Sequence, residues 1–274
     1  MIYFKHKLIK KIEKIPLLQI FIYNYLRLFK FLFPHDKDYY ALNLLFPNNE
    51  KRAFIDVGGN IGLSTIGFRE LGFKYNNIFI FEPDKYLVNV YLKKIKREYK
   101  KLKIFSFGLS DRNTVKKFYK AYYKGKYFHF NNSFDKNYIK NKLIENYGDK
   151  SKKFLIKSST LNIKKFDNLN IKEPICFIKI DVEGLDHLVL FGMKKCIQKF
   201  LPTILVEYNL NNFTKIFNFL KNKYNCFFYD FKKNNLIKLF QKQILNLKKD
   251  KILEKTFKKN SVNIYFIRKK IKYC

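Results

Sequence analysis

The chain has 274 residues, enough to bury the core of one α/β domain with additions. A hydrophobic content of 47% and an aromatic content of 19% exclude a disordered chain, because that much apolar surface offsets the entropy of folding. The 57 basic and 22 acidic residues leave a net charge of +35, which either attracts an anionic partner or coats a solvated surface with lysine.

Composition favours the second reading of the charge. The arginines are only Arg27, Arg52, Arg69, Arg97, Arg112 and Arg268, the rest of the basic residues are lysine, and Asn, Ile, Phe and Tyr abound while Trp is absent. These are residues of A/T-rich codons. Cys176, Cys196, Cys226 and Cys274 show no C-x-x-C spacing, so reduced thiols and a cytoplasmic setting are expected. His6, His35, His129 and His187 are scattered without metal-ligand spacing.

Residues 1–50 read as a basic, apolar helical extension. Gln19, Asn24, Arg27 and Lys30 interrupt its apolar run and no A-x-A site follows, which excludes a good spanning helix or signal peptide. Two readings stay open: a helix packed on the main domain, or a basic amphipathic helix lying peripherally on an anionic membrane. Pro34 is expected to end it.

From Ala53 onward strand-like and helix-like runs alternate. Residues 53–58 (AFIDVG), 77–83 (NIFIFEP), 103–110 (KIFSFGLS), 175–184 (ICFIKIDVEG) and 202–209 (PTILVEYN) read as strands. Residues 60–71, 84–96, 185–199 and 212–221 read as helices. Near-continuous apolar strands between helices predict a parallel sheet covered on both faces. Residues 225–230 and 261–269 are expected to complete one edge as a hairpin-like pair. The main domain is read as 51–270, with a core at 53–210 and an insertion at about 111–173 too long for a plain connection. Insertions of that length serve as binding loops or lids, and substrate choice is assigned to it.

Ligands of open parallel sheets bind beyond the carboxyl ends of the strands, beside the first strand. The stretch DVGGNIG, residues 56–62, occupies that place. Gly58 permits backbone angles a side chain would forbid, and Gly62 is expected to bring the helix close to strand and ligand. A dinucleotide fingerprint ending at Gly62 would need glycine at 57, where Val57 stands. The spacing acid-x-G-x-N-x-G is instead similar to the first motif of S-adenosylmethionine-dependent methyltransferases. Glu82, 26 residues after Asp56 at the end of the second strand, puts a carboxylate where it accepts both ribose hydroxyls.

DVGGNIG, FEP, FGLSD, IKIDVEG followed by LFGM, and ILVEYN occur in an order that resembles the FkbM-type methyltransferases over roughly residues 53–210. The resemblance implies a doubly wound, Rossmann-like, seven-stranded and mostly parallel sheet, S-adenosylmethionine as methyl donor, and O-methylation of hydroxyls on sugars or secondary metabolites. Around the cofactor it places Asp56, Gly58, Gly59, Asn60, Gly62, Glu82, Pro83, Leu109, Ser110 and Asp181. SSTLNIKKFDNL is similar to the family's T-L-D stretch, with Asn162 where Asp is usual.

A sugar hydroxyl is barely acidic, so a general base is expected near the transferred methyl. Asp181 and Glu183 alternate at the end of IKIDVEG and share a side if the strand continues that far. Either is a candidate base, and together they are candidates for holding Mg²⁺. The competing readings are cofactor positioning for Asp181 and a helix N-terminal acid for Glu183. His187, one turn beyond Glu183, is a candidate base or a packing residue. Glu207, at the same sheet edge, is expected to line the acceptor cleft; His129, Asn132 and Ser133 suit sugar hydroxyls or belong to a polar loop.

Other classes remain. The turn DVEG lacks the Asn/Asp-Pro-Pro-aromatic cradle of base amino-methyltransferases, and the charges are spread along the chain without the arginine clustering or aromatic RNP pattern of RNA readers, which disfavours nucleic acid. RNA ribose methylation is the leading enzymatic alternative. A non-catalytic binding protein is a second alternative, and a nicotinamide-dependent enzyme is disfavoured by Val57.

Overall fold

The computed structural model describes residues 15–26, 34–209, 212–240, 243 and 263–269. Its strands in chain order are β1 (Ala53–Val57), β2 (Ile78–Phe81), β3 (Leu102–Phe105), β4 (Gly108–Ser110), β5 (Thr114–Tyr123), β6 (Lys126–Ser133), β7 (Phe154–Lys165), β8 (Ile175–Ile180), β9 (Thr203–Glu207), β10 (Tyr224–Asp230), β11 (Asn235–Leu239) and β12 (Asn263–Arg268). The principal sheet has the order β11-β10-β12-β9-β8-β1-β2-β3. From β9 to β3 neighbouring strands are parallel, whereas β12, β10 and β11 each run antiparallel to their neighbours.

Alternation along the central strands builds two cores. Ile55, Val57, Phe79, Phe81 and Ile178 point to one face, under the helices Asp186–Gly192, Lys194–Phe200 and Phe213–Leu220. Phe54, Ile78, Ile80 and Phe177 point to the other, under Leu63–Glu70 and Lys93–Glu98. There the rings of Phe54, Phe68, Phe73 and Phe177 lie mostly edge to face, 5.2–5.8 Å apart. Covering both faces is why these strands lack polar alternation.

Two expectations are corrected and a third is kept in part. The sheet has eight strands and is mixed, because the short β11 adds to the edge beyond β10; its sequence NLIKL is too brief and too broken by Lys238 to read as a strand. The two late runs do pair antiparallel, with β12 inserted between β9 and β10. The run 103–110 is two strands, since the chain leaves the principal sheet after Phe105 and β4 joins a second one.

The insertion supplies three strands of that second sheet, of order β4-β7-β5-β6, with the helix Lys136–Tyr147 packed on it. Its β5–β6 hairpin turns at Lys124 and Gly125, whose φ angles of 47° and 76° are both left-handed, as a two-residue turn between right-twisted strands requires. β4 is pressed against the helix Asp186–Gly192 so closely that a Cβ on Gly192 would lie 2.0 Å from the Ser110 carbonyl oxygen.

Of the N-terminal extension, the described helix Pro16–Leu26 packs on this second sheet. Ile20 joins Phe128, Ile139 and Leu143, and the Tyr147 hydroxyl donates to Gln19 Oε1 at 2.6 Å. No helix among the described residues is long and apolar enough to cross a membrane. Cys176, Cys196 and Cys226 are buried free thiols, and burial pushes all three well up. His6, Arg27, Lys30 and Cys274 lie outside the described residues.

Candidate active site

A cavity of about 230 Å³ opens at the carboxyl ends of β1, β2 and β8, roofed by the second sheet. The glycine turn forms its floor. Gly58 has φ +80°, and a Cβ there would lie 1.9 Å from the Asp181 carbonyl oxygen, so β1 and β8 close on each other only with glycine at this position. Gly62, also left-handed at +83°, faces the neighbouring helical segment and not the strand: a Cβ there would lie 2.3 Å from the Ile95 side chain and 3.0 Å from that of Leu92. Its role is helix–helix approach.

Asp56 lies beneath the turn and off the cavity wall. Its Oδ2 accepts from the Ser64 and Thr65 hydroxyls at 2.5 and 2.9 Å, fixing the start of the helix Leu63–Glu70. Its Oδ1 lies 3.5 Å from the ammonium of Lys179, its neighbour in the β1–β8 register, and that ammonium is also 3.2 Å from Asp181 Oδ2. Burial works against a charged lysine, but Asp181 and Asp56 outweigh it and raise Lys179 above its ordinary value. A lysine within IKI was the signal for this pair, legible once β1 and β8 are placed side by side.

Glu82 is buried in the cavity wall. Its carboxylate oxygens accept the Asn60 and Asp84 backbone N–H groups, each at 2.8 Å, leaving each oxygen with capacity for a further donor. Burial raises Glu82 to about 7 against the opposing effect of those two N–H groups. Pro83, Leu109, Ser110, Gly59 and Asn60 also line the wall.

The roof is pinned to the floor here. Asn60 Nδ2 donates to the His129 carbonyl at 3.0 Å, Lys120 Nζ lies 2.9 Å from Asp84 Oδ2, and the Tyr127 hydroxyl donates to the same oxygen. His129 is buried in the wall with neither ring nitrogen partnered, and burial lowers it to about 3, so the imidazole is neutral. Asn60 Oδ1 is likewise buried without a partner. Asn132 is committed internally, accepting from the Ala121 N–H at 3.1 Å and donating to the Tyr127 hydroxyl at 2.5 Å.

Four residues along β6, about 13 Å at strand rise, Ser133 marks the other end of the cavity, where its hydroxyl donates to the Glu183 carbonyl at 3.3 Å. β8 ends at Ile180, so strand alternation does not place Asp181 and Glu183. They reach the cavity by a turn in which Glu183 is left-handed, φ 53°, and Gly184 follows at 94° beneath the Tyr138 ring. The Asp181 side chain is 41% exposed. Burial, then Glu207 and Asp181, hold Glu183 well above the usual carboxylate range. Glu207 is raised by burial, Asp181 and Asp186, but is off the cavity wall. His187 does not reach the cavity; its ring packs edge-on to Phe191 at 5.9 Å. Asn162 is an exposed residue of β7 beside the cavity-lining Ile163.

Sequence reading missed His35 and Tyr39, which bring the segment after Pro34 to the cavity, and Phe118, Phe130 and Phe134 of the roof. Among the described residues no grouping of three or more His, Cys, Asp or Glu side chains could hold a metal ion, so Mg²⁺ binding by Asp181 and Glu183 has no support.

A glycine turn beneath a cavity at the carboxyl ends of parallel strands, walled by the acid that ends the second strand, puts the cavity where open α/β domains bind their ligands. Residues 56–229 match the methyltransferase FkbM domain, and the chain belongs to that family of methyltransferases. Among solved structures it is similar to a methyltransferase FkbM from Methylobacillus flagellatus KT, with 14% identity, TM-score 0.48, and coverage of 79% of this chain and 43% of that one. It is also similar to precorrin-6y C5,15-methyltransferase from Geobacter metallireducens GS-15, with 9% identity, TM-score 0.38, and 84% of each chain covered. This chain thus spans less than half the length of the Methylobacillus protein. No curated protein matches it.

Proposed function

We propose that this chain is an S-adenosylmethionine-dependent O-methyltransferase whose acceptor is a hydroxyl of a sugar, in a glycan, glycolipid or related metabolite. The observation that carries the cofactor reading is Glu82, a buried carboxylate held by two backbone N–H groups with acceptor capacity turned to the cavity. The orphaned Asn60 Oδ1 and His129 nitrogens beside it fit a polar, multiply hydroxylated ligand. Bound there, the cofactor supplies an electrophilic methyl group on a sulfonium.

The protein's own part in the reaction lies at the Glu183 end. A hydroxyl must lose its proton as its oxygen takes the methyl, and a carboxylate of raised proton affinity is better matched to that task than an ordinary one. Glu183 receives the proton; Asp181, tied to Lys179, stays in place beside it. The roof positions the acceptor and excludes water, and positioning supplies much of the rate in such a transfer.

The test is calorimetric titration with S-adenosylmethionine and S-adenosylhomocysteine, followed by transfer of labelled methyl to sugar acceptors. Micromolar binding and label in an ether linkage are expected. A folded chain that binds neither compound sinks the cofactor reading; binding with label found only in RNA ribose would replace the sugar acceptor.

A further inference from the structure

Resting on the cofactor reading above, we infer that His129, carried by the inserted sheet, belongs to the cofactor's ribose subsite and not to the acceptor site, donating a ring N–H to a ribose hydroxyl that Glu82 accepts from. The placement comes first. The His129 backbone is fastened to the floor of the cavity by Asn60 Nδ2, and the N–H of the same Asn60 is held by Glu82 Oε2, so one residue ties His129 and Glu82 to a single corner. The neighbouring Lys120 and Tyr127 contacts to Asp84, two residues beyond Glu82, keep that corner closed. Ser133, at the far end of the strand, is the roof residue that meets the Glu183 turn.

The chemistry follows from what is unsatisfied. As a carboxylate Glu82 offers only acceptors, Asn60 Oδ1 is a third, and one of the two N–H groups of the Asn60 amide is already given to the His129 carbonyl. A vicinal diol has two protons to donate and lone pairs left over. A neutral imidazole, buried with both nitrogens unpartnered, supplies a donor for those lone pairs. Leaving those nitrogens without partners would cost more than the hydrogen bond itself returns, so a ligand that satisfies them gains on both counts.

Calorimetry with S-adenosylhomocysteine and its 2′-deoxy and 3′-deoxy analogues tests this in a cycle. His129→Phe, similar in size and apolar, is expected to weaken S-adenosylhomocysteine about tenfold, while being indifferent to the loss of one of the two hydroxyls that the wild type feels. His129→Gln, which keeps a donor, is expected to recover most of the affinity. His129→Asn, polar but too short to reach, carries the same expectation as phenylalanine should the larger change perturb folding. Wild-type affinity in both His129→Phe and His129→Asn overturns the inference alone, as does a deoxy penalty equal in wild type and variants, which would mark His129 as packing. A folded wild type that does not bind S-adenosylhomocysteine overturns the cofactor reading and this inference with it.

Discussion

Asp56 and Lys179 face each other across the β1–β8 register, with the Lys179 ammonium 3.5 Å from the Asp56 carboxylate and both side chains buried. The pair joins the glycine turn to the turn at 181–184, because Lys179 also holds Asp181. Removing the cation leaves Asp56 a buried charge held only by the Ser64 and Thr65 hydroxyls. Lys179→Met is therefore expected to cost about 3–5 kcal/mol of folding stability, read from urea denaturation; a loss below about 1 kcal/mol, the scale of an exposed pair, would show that the ion pair is unimportant.

Gly58→Ala places a methyl 1.9 Å from the Asp181 carbonyl oxygen at a φ of +80°. The left-handed backbone alone costs about 1–2 kcal/mol, and the overlap adds to it by prising β8 from β1. Gly125→Ala isolates the first cost, since its φ is +76° and no atom lies within 4 Å of the added carbon. Thermal unfolding should rank Gly58→Ala well below Gly125→Ala, and only the former should abolish S-adenosylhomocysteine binding.

Glu82→Ala leaves the Asn60 and Asp84 N–H groups and the ligand hydroxyls without their acceptor. Calorimetry is expected to show S-adenosylhomocysteine binding weaker by about 1–3 kcal/mol. Unchanged affinity would remove Glu82 from the site.

Glu183→Gln keeps the shape of the turn and removes the proposed base. Methyl transfer should fall by about 10²–10⁴-fold with cofactor affinity retained, and full activity would discard the carboxylate mechanism. Glu207→Gln removes one of the charges that raise Glu183, so the rising limb of the pH–rate profile should move to lower pH. His187→Ala, off the cavity, should behave as wild type.

Stability of the ligand-free chain should fall as pH rises from about 6.5 to 8; below 6.5 the buried, neutral His129 works the other way, because the unfolded chain holds the proton that the folded one lacks. Burial raises Glu82 from 4.5 to about 7 and Asp186 from 3.8 to about 6, and Glu183 and Glu207 move the same way. The folded chain then keeps protons that the unfolded chain has released, so the stability these groups contribute is whole below their unfolded values and is lost as pH passes through the folded ones. Urea midpoints at the two ends of that window measure it; a rising midpoint would contradict the burial of these carboxylates.

What the sequence by itself determined is the part of the site carried by the strand ends. DVGGNIG and the Glu82 of FEP are legible because a left-handed glycine after an apolar strand is a local demand of backbone geometry and an acid where the next strand stops is a polar break in an apolar run. The order of strands and helices follows from hydrophobic runs in the same way. Tertiary structure alone decided that Asp56 is a buried anchor for Ser64, Thr65 and Lys179, that Glu183 fronts Glu207, and that residues 111–173 fold into a sheet whose β6 spans the cavity from Glu82 to Glu183. Those facts depend on which strands lie side by side and on burial. Charge pairing across a register and the desolvation of a carboxylate have no local signature in the chain.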